Sequence, residues 1–162
     1  MGLAEDLLRQ ADHLVTYESP NPSQASLRRA VSTAYYALFH LLIEAAALRW
    51  SGSSEARTGM ERGFQHGPMK NISIQFRKQA WQDWHGNQQP IPLAIQKIAR
   101  AFVYLQEERH TADYDNHEQW TGTDVQEVLN TTREPFQHWY SIRTDPMAGN
   151  YLLAMLLNKQ RP

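Results

Sequence analysis

The chain has 162 residues, 41% of them hydrophobic and 20% charged, with five tryptophans. That is the length of one ordinary domain, and it carries the apolar material for a continuous core that disordered chains lack. Sixteen Lys plus Arg against seventeen Asp plus Glu leave a net charge of −1, which excludes a global basic field for nucleic acid or an anionic membrane and makes any such site local. The absence of cysteine excludes disulfides, thiolate nucleophiles and cysteine-based zinc or iron–sulfur sites.

The opening segment MGLAEDLLRQADHL lacks the basic start and apolar run of a signal peptide. No stretch approaches about 18 consecutive apolar residues. A cytoplasmic protein that does not span a membrane is expected. No internal repeat and no Gly-rich phosphate loop is found, so nucleotide-loop enzymes are excluded as well.

Leu3, Leu7, Leu8, Ala11, Leu14 and Val15 recur at helical steps, predicting a first helix that ends near Tyr17. The turn cluster Ser19-Pro20-Asn21-Pro22-Ser23 follows, with Ser23 placed to cap the next helix. From Gln24 to Trp50 there is no Gly or Pro, and Leu27, Val31, Ala34, Tyr35, Leu38, Leu41, Leu42, Ala45 and Leu48 form one stripe, predicting the longest helix. Ser51-Gly52-Ser53-Ser54 ends it and supplies a new cap.

Residues 55–86 show weaker periodicity broken at Gly63 and Gly67-Pro68, which predicts one or two short helices, and Asn87–Pro90 reads as a loop. Pro90 and Pro92 are expected in the first turn of a second major helix with apolar positions Ile91, Ile95, Ile98, Phe102 and Leu105. Thr123 or Asp124 is expected to cap a further helix through Val125, Val128, Leu129, Thr132, Phe136 and Trp139 or Tyr140, which Pro135 should kink or interrupt. Asp145-Pro146 reads as the cap and first turn of a short final helix.

No alternation indicates a sheet. The fold class expected is all-α: an up-and-down antiparallel bundle of four to six helices. It forms one domain over residues 1–162, with its core at about 3–143, a candidate insertion at 55–88 and a C-terminal helix at 146–158.

The chemistry-bearing residues lie on the two longest helices. The stripe 91, 95, 98, 102, 105 continues to Arg109, so an arginine lands where a core residue is due, with Asp113 four residues on. Either the two form an internal brace, or Arg109 is a cation held in a cleft for a phosphate, with His110 and His117 near it in sequence. On the long helix Arg29, Thr33, Tyr36 and His40 share a face beside the apolar stripe. They are either half-buried, satisfied side chains or a surface on which Tyr36 and His40 orient a nucleotide.

The central Arg62, His66 and Lys70 either face nucleic acid or belong to a plain connection, and in the aromatic patch Trp81, Trp84 and His85 the tryptophans are expected to cover the helices or a dimer contact rather than stack on bases. Asp113, His117, His110, Asp115 and His138 offer metal donors. Without an HExxH-like pattern no metal site is expected, and no cofactor is implied.

The segments Leu27-Arg28-Arg29-Ala30-Val31-Ser32-Thr33-Ala34-Tyr35-Tyr36-Ala37-Leu38-Phe39-His40 and Arg109-His110-Thr111-Ala112-Asp113-Tyr114 resemble the two signature motifs of the HEPN domain family, the second its RxxADY element. The resemblance covers about residues 1–143. It implies a HEPN-like helical bundle, a homodimer, and a metal-independent endoribonuclease in a defence or toxin–antitoxin setting, with an antitoxin or nucleotidyltransferase partner. Arg109, His110 and His117 are then the catalytic candidates, with Arg29, Tyr36, His40, Asp113 and Tyr114 binding RNA or a nucleotide. Seven residues separate Arg109 from His117, more than the family's nuclease motif has. The rival expectation is a non-catalytic dimerisation or adaptor module, with Arg109–Asp113 as a brace.

Overall fold

The computed structural model describes residues 2–50 and 52–158. They form an all-α fold of seven helices, α1 Leu3–Thr16, α2 Gln24–Trp50, α3 Ser54–Gly63, α4 His66–Phe76, α5 Leu93–Tyr114, α6 Gly122–Ile142 and α7 Pro146–Leu157, with one small hairpin, β1 Ala80–Gln82 and β2 Gln88–Pro90. Seven helices exceed the four to six expected, because the glycine-broken centre forms two separate helices. The residues gather into two compact units, one made by the chain up to Leu41 with Tyr104–Phe136, the other by Leu42–Val103 with the chain from Gln137 on.

In the first unit, α1 begins with the Glu5 carboxylate accepting from Gly2 N at 3.0 Å, which satisfies one of the unpaired donors of a helix start. Its inner face is Ala4, Ala11 and Val15, while Leu3, expected in the stripe, stands exposed at the end of the helix. Arg133 of α6 donates to Asp12 of α1 at 2.7 Å. The α2 residues Leu27, Ala30, Val31, Ala34, Tyr35 and Leu38 are buried with Leu105, Val125, Val128 and Leu129. Ser23 Oγ accepts from Ser26 N at 3.2 Å, so the expected cap forms.

α6 starts two or three residues earlier than expected. Its cap is Thr121, whose hydroxyl accepts from Asp124 N at 3.1 Å while the Asp124 carboxylate accepts from Thr121 N at 2.9 Å, a reciprocal pair that closes the helix start. The Thr121 hydroxyl, donating at 2.6 Å, and then its main-chain N–H hold the Asp124 carboxyl below the ordinary carboxylate range.

In the second unit α4 packs on α7 and β1. Phe76 sits 5.0 Å from Trp81 and 4.9 Å from Tyr151 between ring centroids, geometry in which aromatic pairs add about 0.5–1.5 kcal/mol each beyond area burial. Arg49 donates to the Arg143 carbonyl at 3.0 Å. Its guanidinium lies against Gly149, where a Cβ would come within 2.8 Å. A side chain there would require the Arg49 guanidinium to move aside. Asp145 caps α7 by accepting from Met147 N at 2.8 Å, as the Asp-Pro pair predicts.

Three expectations are corrected here. Asn87–Pro90 is not a plain loop: Trp81 pairs with Gln89 in antiparallel register, and Gly86 at φ +85° turns the chain. Asp83 accepts from His85 N, Asn87 N and Gln89 Nε2, which hold its carboxyl below the usual range, Gln89 contributing most. Strands of three residues are too short for alternation to show. Pro90 therefore ends β2, and α5 begins only after Pro92. Pro135, expected to kink or interrupt α6, does not interrupt it: the helix continues to Ile142. Leu129, Thr132, Phe136 and Trp139 are all buried around it, and that burial outweighs a local cost of about 3 kcal/mol.

By length and composition α2 is apolar enough to cross a membrane, but 72% of its most apolar stretch is buried inside the fold.

Candidate functional site

Successive residues of an α-helix are rotated by about 100°, so adjacent positions face different surroundings. The end of α5 divides on that rule. Arg109 and Asp113 share one face, His110 and Tyr114 the next.

The Arg109 side chain is 16% exposed and its Nε lies 3.0 Å from Asp113 Oδ2. The contact is an ion pair and lacks the alignment of a directed hydrogen bond. Nη2 donates to the Tyr36 hydroxyl at 3.2 Å. The guanidinium carbon is 5.7 Å from the Tyr35 ring centroid and 5.5 Å from that of Tyr36, within range of cation–π attraction. Burial pushes the Tyr35 hydroxyl far above its ordinary pKa, with the charge of Arg109 opposing that rise. The α2 and α5 motifs thus meet at Tyr36 and Arg109, and the internal brace is present.

His110 and Tyr114 are exposed, their ring centroids 4.9 Å apart. With Thr111, Asp115, Asn116 and His117 they line an open concavity of about 440 Å³. Arg109 is not among its lining residues. The segment after α5 is held from α2. Arg28 donates through Nη1 to the carbonyls of Ala112 and Asp115 at 2.9 and 2.8 Å, and through Nη2 to that of Glu118 at 2.5 Å. The Gln24 carboxamide exchanges two bonds with the main chain of Trp120, at 2.7 and 3.0 Å. Asp115 Oδ1 accepts from His117 N at 2.9 Å.

No family model, curated protein or solved structure matches this chain.

The expected site residues therefore fall into separate places. Arg109, Asp113 and Tyr36 are joined; His110, Tyr114 and His117 share the concavity. Arg29 is exposed on α2, and His40 is half-buried with its ring edge-on to Phe39 at 5.5 Å. In the second unit Arg62 lines a cleft of about 520 Å³ with Gly63, Gln65, Pro68 and the end of α7. Trp81 is buried, whereas Trp84 is 54% exposed. Among the described residues no three His, Asp or Glu side chains converge as a metal site.

Arg28 and Gln24 were not singled out as site residues by the sequence. The signal was there: a helix end leaves four carbonyls without partners, and the polar segment after Tyr114 has no hydrophobic residue before Trp120 to pin it.

Proposed function

We propose that this chain is a HEPN-like cytoplasmic protein that binds RNA or a nucleotide on the His110–Tyr114–His117 concavity. The observation that carries this reading is the close pair of exposed His110 and Tyr114 rings beside His117 in one open hollow. Exposed aromatic rings stack on any base, which is how single-stranded RNA is held without a global basic field. The near-zero net charge agrees with a small, local site. The family resemblance supplies the up-and-down bundle, a homodimer, and an antitoxin or nucleotidyltransferase partner.

Cleavage requires a cation and a proton-transfer group at one phosphate. Arg109 is held by Asp113 and Tyr36, and it does not line the concavity that holds His110. Binding is accordingly the better supported activity. A metal-independent endoribonuclease needs Arg109 of one protomer to meet His117 of another.

The test is fluorescence polarisation of a labelled single-stranded oligoribonucleotide, together with gel analysis of the same RNA in EDTA. Saturable binding that Tyr114→Ala weakens about tenfold is expected, since stacking contributes about 1–3 kcal/mol per base. RNA left both unbound and intact at high protein concentration and low salt overturns the reading.

A second reading has its own observation, the Arg109–Asp113 ion pair against Tyr35 and Tyr36. In it the chain is a non-catalytic dimerisation or adaptor module. Arg109→Ala then lowers the melting temperature or dissociates a dimer in analytical ultracentrifugation and leaves any RNA signal unchanged.

A further inference from the structure

The concavity has one wall on α5 and the other on the segment that follows it, because His110, Thr111 and Tyr114 belong to the helix and Asp115, Asn116 and His117 come after it. A helix wall is set by its own hydrogen-bond ladder. A wall made by a polar, exposed loop is not, since its backbone has no regular partners and its side chains bury almost nothing.

In this chain the loop is set from α2. The three carbonyls that accept from Arg28 lie at 112, 115 and 118, so they bracket Asn116 and His117 on both sides. One planar guanidinium directs several donors in a fixed fork, whereas the three donors of an ammonium all leave one nitrogen and reach carbonyls spaced along a bend less well. Gln24, one turn before Arg28, fixes Trp120 by two further bonds. The loop's internal bond from His117 N to Asp115 then orients the residue that completes the hollow.

We infer that Arg28 is the positioning residue of the concavity: its fork onto the carbonyls of Ala112, Asp115 and Glu118 sets where His117 stands relative to His110 and Tyr114, and so sets the affinity for the ligand. The inference rests on the concavity being the ligand site.

Two readouts on the full chain keep those claims apart. The first needs no ligand. In NMR spectra of Arg28→Ala, the His117 imidazole resonances move and the amides of residues 115–121 exchange with solvent at least about tenfold faster, since the local opening free energy falls when tertiary bonds are removed. The second is polarisation of the labelled oligoribonucleotide, which Arg28→Ala binds about tenfold more weakly, a loss of the size that slight misplacement of a site produces. Arg28→Lys lies between Arg28→Ala and wild type in both. Gln24→Ala, which spares the guanidinium, disturbs Trp120 and Thr121 first.

A weakened affinity with the His117 resonances and loop exchange unchanged overturns positioning and makes Arg28 a direct phosphate contact. A disturbed loop with unchanged affinity overturns the link to the site. If wild type binds no oligoribonucleotide, the proposed function falls, and the ligand-free readout still decides whether Arg28 sets the loop. Should Arg28→Ala fail to fold, Arg28→Lys and Arg28→Gln carry the same two comparisons.

Discussion

The Arg109 guanidinium donates to the Tyr36 hydroxyl across 3.2 Å, tying two motifs seventy-three positions apart in sequence. Truncating the arginine leaves the Tyr36 hydroxyl and the Asp113 carboxylate without this cation.

Arg109→Ala is expected to lower unfolding stability by about 1–3 kcal/mol, the range for losing a partly buried charged partner. Asp113→Asn costs less, because its side chain is 28% exposed and solvent replaces part of the contact. Urea denaturation measures both. Equal midpoints for Arg109→Ala and wild type refute the brace.

Much of this was legible in the sequence, and what was not has physical causes. α2 runs over the bounds its unbroken stripe predicts, and the stripe 91, 95, 98, 102, 105 is buried throughout. Helical periodicity reports burial along most of a long helix, although Leu48, at the end of the α2 stripe, is exposed. The hairpin was missed because three-residue strands hold one alternation each, and the hold of Arg28 was missed because a side chain's bond to distant carbonyls leaves no period. The separation of Arg109 from His110 could have been read, since adjacent helical positions diverge by about 100°.

Ser73 Oγ donates to the Met69 carbonyl at 2.8 Å and lies 2.7 Å from the Tyr151 hydroxyl. A serine has a single hydroxyl proton, so Tyr151 must be the donor to Ser73. Burial raises the Tyr151 hydroxyl well above its ordinary pKa, with Ser73 acting against that rise. Ser73→Ala strands a buried donor and is expected to cost about 1–3 kcal/mol. Tyr151→Phe removes the donor, leaves a serine that keeps its own bond, and costs about 1 kcal/mol. Denaturation of the two single variants and the double variant tests this; Tyr151→Phe costing more than Ser73→Ala reverses the donor assignment.

Burial raises the Glu108 carboxyl above its ordinary value of 4.5, and the neighbouring carboxylates of Glu118, Glu107 and Asp124 add to the rise. The native state then holds this proton more tightly than the unfolded chain. Its contribution to stability is fully present below the unfolded value and is lost as pH rises through the folded one. Glu108→Gln removes that loss. It is expected to be more stable than wild type at neutral pH by about 0.5 kcal/mol or less, given solvent screening, and indistinguishable from wild type near pH 3. Thermal melts across that range check it, and a variant less stable than wild type at neutral pH contradicts the crowding.

Pro135 lies inside α6 and is buried between Thr132 and Phe136, both of them core residues. The ring removes the N–H that would close a helical bond to the fourth preceding carbonyl, which makes proline about 3 kcal/mol worse than alanine in a helix interior. Two effects work against a simple repair. Proline stiffens the unfolded chain by about 1 kcal/mol, and removing its buried ring methylenes forfeits about 0.8 kcal/mol each. Alanine keeps Cβ and loses two methylenes, so the balance for Pro135→Ala is a gain of only about 0.4 kcal/mol, read as a slight rise in melting temperature by circular dichroism at 222 nm, a wavelength that follows helix content. A lowered midpoint means that the ring packs as a core residue in its own right, and that α6 stays continuous through that packing.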